Sequence, residues 1–154
     1  MLNDQSILDV RKLITGKDGQ LFVYTKSGRQ IFLAECDEYE IKINVKNTDY
    51  QPVGSNLEYA VNTGFSATLT FTEAVVRDEM IDELLSDIAQ GYMPYWDFQG
   101  KLRRRDGQYS RLTLRNCLPD GDIDLMNIKP GEIIKRQWSF RINATPEKLA
   151  SFAY

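Results

Sequence analysis

Two stretches of this sequence alternate apolar and polar residues with a period of two, over lengths that only extended chain can satisfy. In the first, Tyr39, Ile41, Ile43 and Val45 stand between Glu38, Glu40, Lys42, Asn44 and Lys46. In the second, Phe65, Ala67, Leu69 and Phe71 stand between Ser66, Thr68, Thr70 and Thr72. Successive side chains of a strand point to opposite faces, so each stretch has one face for a core and one for water. A pair of antiparallel strands with a polar outer face follows.

The remaining chain supplies more strands. Gln20–Thr25 is rich in β-formers, and Lys26-Ser27-Gly28-Arg29 reads as a hairpin connection to Gln30–Glu35. Tyr95–Arg103 and Tyr109–Cys117 flank a turn at Arg105-Asp106-Gly107-Gln108. Asp122–Ile128 lies between turns at Leu118-Pro119-Asp120-Gly121 and Lys129-Pro130-Gly131-Glu132, and Ile134, Trp138, Phe140 and Ile142 alternate in a last strand. Ala74 to Gln90 changes to a helical period, with Val76, Met80, Ile81, Leu84, Leu85 and Ile88 on one stripe and Arg77, Asp78, Asp82, Glu83 and Asp87 opposite. Thr72 is the expected N-cap, Gly91 the C′ glycine, and Pro94 bars continuation. About seven strands and one packed helix predict a mainly β (α+β) fold, a β-sandwich or barrel. Residues 1–18 read as an N-terminal arm, and 19–154 as one β domain with a helix over 74–90. A loop over 47–64 carries Tyr50, Val53, Leu57 and Tyr59, apolar groups expected to be covered by a partner.

Composition narrows the chemistry. The 154 residues suffice for a single domain with a full core. There is no histidine, which removes Ser-His-Asp and Cys-His catalysis, His-ligated zinc and a His base. Cys36 and Cys117 lie far apart without Cys-x-x-Cys spacing, so no metal site and no cofactor is expected, and both thiols read as reduced and buried. The start of the chain lacks the pattern of a secretory signal, and no apolar run is long enough for a membrane span. A net charge of −3 argues against general polyanion binding.

Each remaining cluster has an ordinary reading. Gly16-Lys17-Asp18-Gly19 is a turn, since neither phosphate-loop spacing is present. The acids from Asp78 to Asp87 read as a solvated helix face. Lys101, Arg103, Arg104, Arg105, Arg111 and Arg115, near Tyr95, Trp96, Phe98 and Tyr109, could contact phosphates of a single strand, but in an acidic chain they read first as a charged hairpin tip that pairs with acids of a neighbouring subunit or stays in water. No carboxylate pair can be brought together for catalysis, and no enzyme is expected.

An ordered series of short patterns carries a family resemblance. Thr15-Gly16-Lys17-Asp18-Gly19-Gln20-Leu21-Phe22 comes first. Ala67-Thr68-Leu69-Thr70-Phe71 then leads into the helix and Gly91-Tyr92-Met93-Pro94-Tyr95-Trp96. Arg111-Leu112-Thr113-Leu114, Trp138-Ser139-Phe140 and Thr145-Pro146-Glu147-Lys148-Leu149 follow. In order and spacing the series resembles the tail tube (core tail) proteins of contractile phage tails and phage-like particles, the PBSX-type family, over roughly residues 15–150.

The resemblance implies a structural subunit that forms homohexameric rings, stacked into a tube inside a sheath protein, with baseplate and tail-terminator proteins as further partners. DNA would pass transiently through the channel of a true phage. It also implies assembly in the bacterial host cytoplasm and release in a virion or a bacteriocin-like particle. In such a tube Glu38, Glu40, Lys42, Asn44, Lys46, Ser66, Thr68, Thr70 and Thr72 are the lumen-facing candidates. Tyr50, Val53, Leu57, Tyr59, Leu2 and Ile7 are the candidates for subunit or ring contacts. A secretion-system tube subunit and a nucleic-acid-binding β-barrel module are the alternatives.

Overall fold

The computed structural model describes residues 13–14, 18–24, 30–33, 36–75, 78–126 and 128–152. The two alternating stretches form the longest strands, β3 (Cys36–Tyr50) and β4 (Tyr59–Ala74), paired antiparallel along their whole length. They join β1 (Gly19–Tyr24), β2 (Gln30–Phe32), β5 (Trp96–Arg103), β6 (Tyr109–Pro119), β7 (Lys135–Ile142) and β8 (Glu147–Ala150). All pairings are antiparallel, in one sheet ordered β2-β1-β5-β6-β7-β4-β3, with β8 on β6. The sheet curls, so that Tyr39 of edge strand β3 donates its hydroxyl to the Lys101 carbonyl of β5 at 3.3 Å. Gly100 permits that approach, because a Cβ there would stand 3.2 Å from Ile41 Cδ1.

Inside the curl lies a cluster of five rings, Phe71, Trp96, Phe98, Trp138 and Phe140, each essentially without solvent exposure. Trp138 and Phe140 stack at 5.7 Å, and Trp96 meets Phe140 edge-on at 5.7 Å. Each such burial contributes about 1.5–3 kcal/mol, and each ring pair about 0.5–1.5 kcal/mol more. Both indoles need acceptors in this interior and receive carboxylates. Trp138 Nε1 donates to Glu73 at 2.9 Å and Trp96 Nε1 donates to Glu83 at 2.7 Å.

The helix α1 (Glu79–Ala89) starts five residues later than the sequence predicts. Thr72 is not its cap, because residues up to Ala74 stay extended between β3 and β7, with Thr72 opposite both Glu38 and Gln137. Asp78 holds the cap position without a side-chain cap bond, its carboxylate being engaged by Arg136 at 3.2 Å. Met80, Ile81 and Leu84 are buried, whereas Leu85 and Ile88 of the expected stripe are about half exposed and Asp87 of the expected polar face is buried. Val76 and Arg77 lie outside the described residues, as do most of the arm and the Lys26–Arg29 connection. Gly91 closes the helix at φ 87° as expected.

Three further differences concern strands. The expected loop over 47–64 is mostly hairpin: Asn47–Tyr50 pairs with Tyr59–Asn62, leaving only residues 51–58 unpaired. Asn and Thr there weaken β-propensity, but the ladder is carried outward from the alternating roots of both strands. No strand forms over 122–126; this segment is irregular and is held by the Arg136 side chain, which donates to the carbonyls of Asp124 and Leu125. The short β8 is an addition, and Cys36 is only partly buried.

Beyond Ala67 the roots of β4 lose their β7 neighbour, so residues 44–66 project as a two-stranded ribbon. Where Lys46 faces Gly64 and Asn47 faces Asn62, Thr63 is an extra residue on β4. Gly64 takes φ 145° beside this bulge, a value that disfavours side chains. Another bulge sits on β6 opposite Asp97, with Asn116 at φ 55° and its backbone amide donating to the Asp97 carboxylate. It is why Leu114 and Cys117, three apart, are both buried.

Removing the Trp138 donor takes a 2.9 Å hydrogen bond from the buried Glu73 carboxylate, which also lies 3.9 Å from the Arg136 guanidinium. Trp138→Phe is expected to lower the unfolding free energy by about 1–3 kcal/mol, read as a lower urea midpoint at unchanged m-value.

Candidate assembly surfaces

The register places all nine predicted lumen residues on one face. Glu38 faces Thr72, Glu40 faces Thr70, Lys42 faces Thr68 and Asn44 faces Ser66 across the β3–β4 ladder, with Lys46 next along the row. The acids and bases are exposed, and the hydroxyl residues are half-buried between flanking strands. Sequence reasoning did not attach β7 to this surface, although its alternation was visible. Gln137, Ser139 and Arg141 stand opposite Thr72, Thr70 and Thr68, so the polar face is three strands wide. Such a long-range pairing leaves no local trace in sequence.

Charge on this face is largely balanced. Lys42 Nζ lies 3.0 Å from Glu40, and Lys135 Nζ lies 2.7 Å from Asp37, which the bulge between Cys36 and Glu38 turns outward. The Asp37 hydrogen bond and charge raise the Lys135 pKa. Hydroxyls, the amides of Asn44 and Gln137, two ion pairs and the further charges of Glu38, Lys46 and Arg141 make a wet surface of mixed sign.

The sheet's edge and ribbon are chemically different. Among the described residues β3 pairs only with β4, so its other side is a sheet edge, engaged at its start where the Cys36 amide donates to the Leu33 carbonyl at 3.1 Å. On the ribbon's core-side face, Ile43, Val45 and Phe65 are each more than half exposed. Tyr50, Leu57 and Tyr59 at its tip are exposed, and Val53 fully so. Leu2 and Ile7 fall outside the described residues.

Other sequence candidates resolve into structural roles. Trp96 and Phe98 are buried in the core and are not stacking platforms, while Lys101 caps the Tyr109 ring at 4.7 Å. Arg104 is buried against Asp106 at 2.7 Å, and Arg111 donates to Gln99 at 3.1 Å. Glu83 is bound to Trp96. Among the described residues no group of three acids or cysteines is arranged to hold a metal. Burial, with the Asp97 charge second, pushes the Cys117 thiol up to about 12, where it is an inert core group.

A curled antiparallel sheet with a polar face of mixed charge, an exposed edge strand and a projecting ribbon defines a mainly β domain with one helix. A family model described as phage tail tube protein matches residues 6–144, and the chain belongs to that family. No curated protein matches it in sequence. Solved structures share the fold, among them the following three. A chain of an extracellular contractile injection system, the PVC sheath-tube complex in its extended state, aligns at TM-score 0.67 and 13% identity over 92% of this chain and 95% of its own. A chain of the anti-feeding prophage cap, the AFP tube terminating cap, gives 0.68 and 13% over 98% and 100%. A chain of the virion of a native gene transfer agent particle gives 0.61 and 16% over 88% and 98%.

The Cys117 pKa yields a pH prediction. Its folded value lies above the ordinary 9.0, so the fold favours the protonated thiol. That contribution is complete below about pH 9 and is lost as pH rises toward about 12. Cys117→Ala should flatten the alkaline fall in thermal stability over this window, and in the native protein alkylation near neutral pH should reach Cys36 far faster than Cys117.

Proposed function

We propose that this tail tube subunit builds the inner tube of a contractile phage tail or phage-tail-like particle, as stacked homohexameric rings around a channel lined by the β3–β4–β7 polar face. The observation that carries the reading is a polar sheet face three strands wide, backed by the aromatic core and ending at β3, which among the described residues has β4 as its one strand partner. A continuous lining follows if each subunit's β3 edge is met by its neighbour in the ring, which also satisfies the open backbone groups. The polar face then meets water and cargo.

The role is structural and needs no catalysis. Ring stacking falls to the ribbon, through Tyr50, Val53, Leu57 and Tyr59, with the arm residues Leu2 and Ile7 as a second contact. A sheath protein surrounds the tube, baseplate and terminator proteins close its ends, and assembly takes place in the host cytoplasm. Where the particle carries a genome, DNA slides through the lumen. Net charge −3 per subunit gives −18 per six-membered ring, a repulsion screened beyond about 8 Å in physiological salt, and on the face Lys42 and Lys135 are held by carboxylates while Lys46 and Arg141 are the further cations a phosphate would meet.

Assembled material viewed by cryo-electron microscopy should show sixfold rings and tubes. In Cys36→Ser tubes, a cysteine at Thr70 should react with a small maleimide and be protected from a bulky polymer-linked one. Equal reaction with both would put this face outside. Val45 and Phe65 face each other across the ladder, so the double substitution Val45→Lys/Phe65→Glu replaces an exposed apolar pair by an opposite-charge pair and should leave the melting temperature nearly unchanged while abolishing tubes.

A further inference from the structure

The strands of this sheet run between two ends of opposite character. β6 starts at Tyr109 and ends at Pro119, eleven residues or about 36 Å. β5 ends beside its start, at Arg103, and the chain leaves its other end toward Asp122 and Asp124. One pole therefore carries exposed Arg103 and Arg105 around Leu102 and Tyr109, which are 39% and 41% exposed. The other carries exposed Asp122 and Asp124 beside Leu125 and Met126, which are 52% and 84% exposed.

Both poles are held in place from within. Arg104 is neutralised by Asp106 under the basic turn. Arg136, occupied by Glu73 and Asp78, fixes the Asp124 and Leu125 carbonyls and leaves their side chains outward. The opposing charge at each pole is engaged elsewhere, Asp106 by Arg104 and Lys135, beside Asp124, by Asp37, so each pole joins an apolar patch to charge mainly of one sign and the two match each other.

We infer that the basic pole of one copy of this chain docks on the acidic pole of another, as the head-to-tail contact between successive rings. The inference rests on the tube reading above: if rings close through the sheet edge, the strand ends face the rings before and behind. A contact between two different patches of identical subunits does not close on itself and propagates as a filament. The ribbon projects from the same end as the basic pole, so both reach toward the same neighbouring ring.

Charge reversal tests this. Arg103→Glu/Arg105→Glu makes both poles acidic, and Asp122→Lys/Asp124→Lys makes both basic. Each variant alone should still give single rings but need at least about tenfold more protein to form tubes, from like-charge repulsion. An equimolar mixture should restore tubes of alternating rings, and wild-type tubes should weaken with salt. The neutral pair Arg103→Gln/Arg105→Gln, which adds no repulsion, should fall between wild type and reversal. Each variant is compared at equal melting temperature. Tubes from either reversal variant alone at wild-type concentration would overturn the inference while leaving the tube reading intact, as would a mixture that fails to rescue or variants that lose rings as well. Wild-type protein that never forms rings or tubes would overturn the tube reading, and this inference with it.

Discussion

The buried Glu73 carboxylate is the constraint on which the rest of the architecture depends. It sits on β4, accepts the Trp138 indole proton from β7, and faces Arg136, whose guanidinium also reaches Asp78 at the start of the helix and two carbonyls of the 122–126 segment. A buried carboxylate is costly unless fully partnered, so these groups can satisfy one another in only one arrangement. That arrangement sets the β4–β7 register, and the register sets which side chains reach the aromatic core and which form the polar face. A slip of one residue would exchange the two faces.

The same network explains where sequence reasoning succeeds and where it stops. Alternation in 38–46 and 65–72 is a local signal, and it specified both the strands and their polar face. The ends of elements depend on distant partners. Thr72 has the chemistry of a helix cap, but β3 and β7 hold it in a ladder, and the helix waits until Asp78. Asp122–Ile128 alternates weakly, yet Arg136 draws its carbonyls away from any strand partner.

The assembly surfaces show the same division. The nine polar residues of the hairpin were legible because they share one period, whereas Gln137, Ser139 and Arg141 joined them only through a pairing with β4 more than sixty residues away in sequence. Trp96 and Phe98 sit among basic residues in sequence and look available for stacking, but strand alternation turns them to the core while Lys101 and Arg103 point away. The apolar tip residues were read as one loop, whereas Tyr50 and Tyr59 are strand residues facing each other and only Val53 and Leu57 lie in the turn between them.

The single extra residue at Thr63 has a geometric consequence for the ribbon. Before it, the greasy side bears Ile43, Val45 and Phe65. After it, alternation is inverted on one strand, so that Asn47 and Asn62 share that side, joined by an amide hydrogen bond, while the Tyr50–Tyr59 pair shares the side of Lys46. Root and tip thus turn their water-avoiding sides in opposite directions. A body lying flat beneath the ribbon could cover one of them and never both. To dry the whole ribbon, neighbours must approach from two sides, as cloth lies on both sides of a stitch.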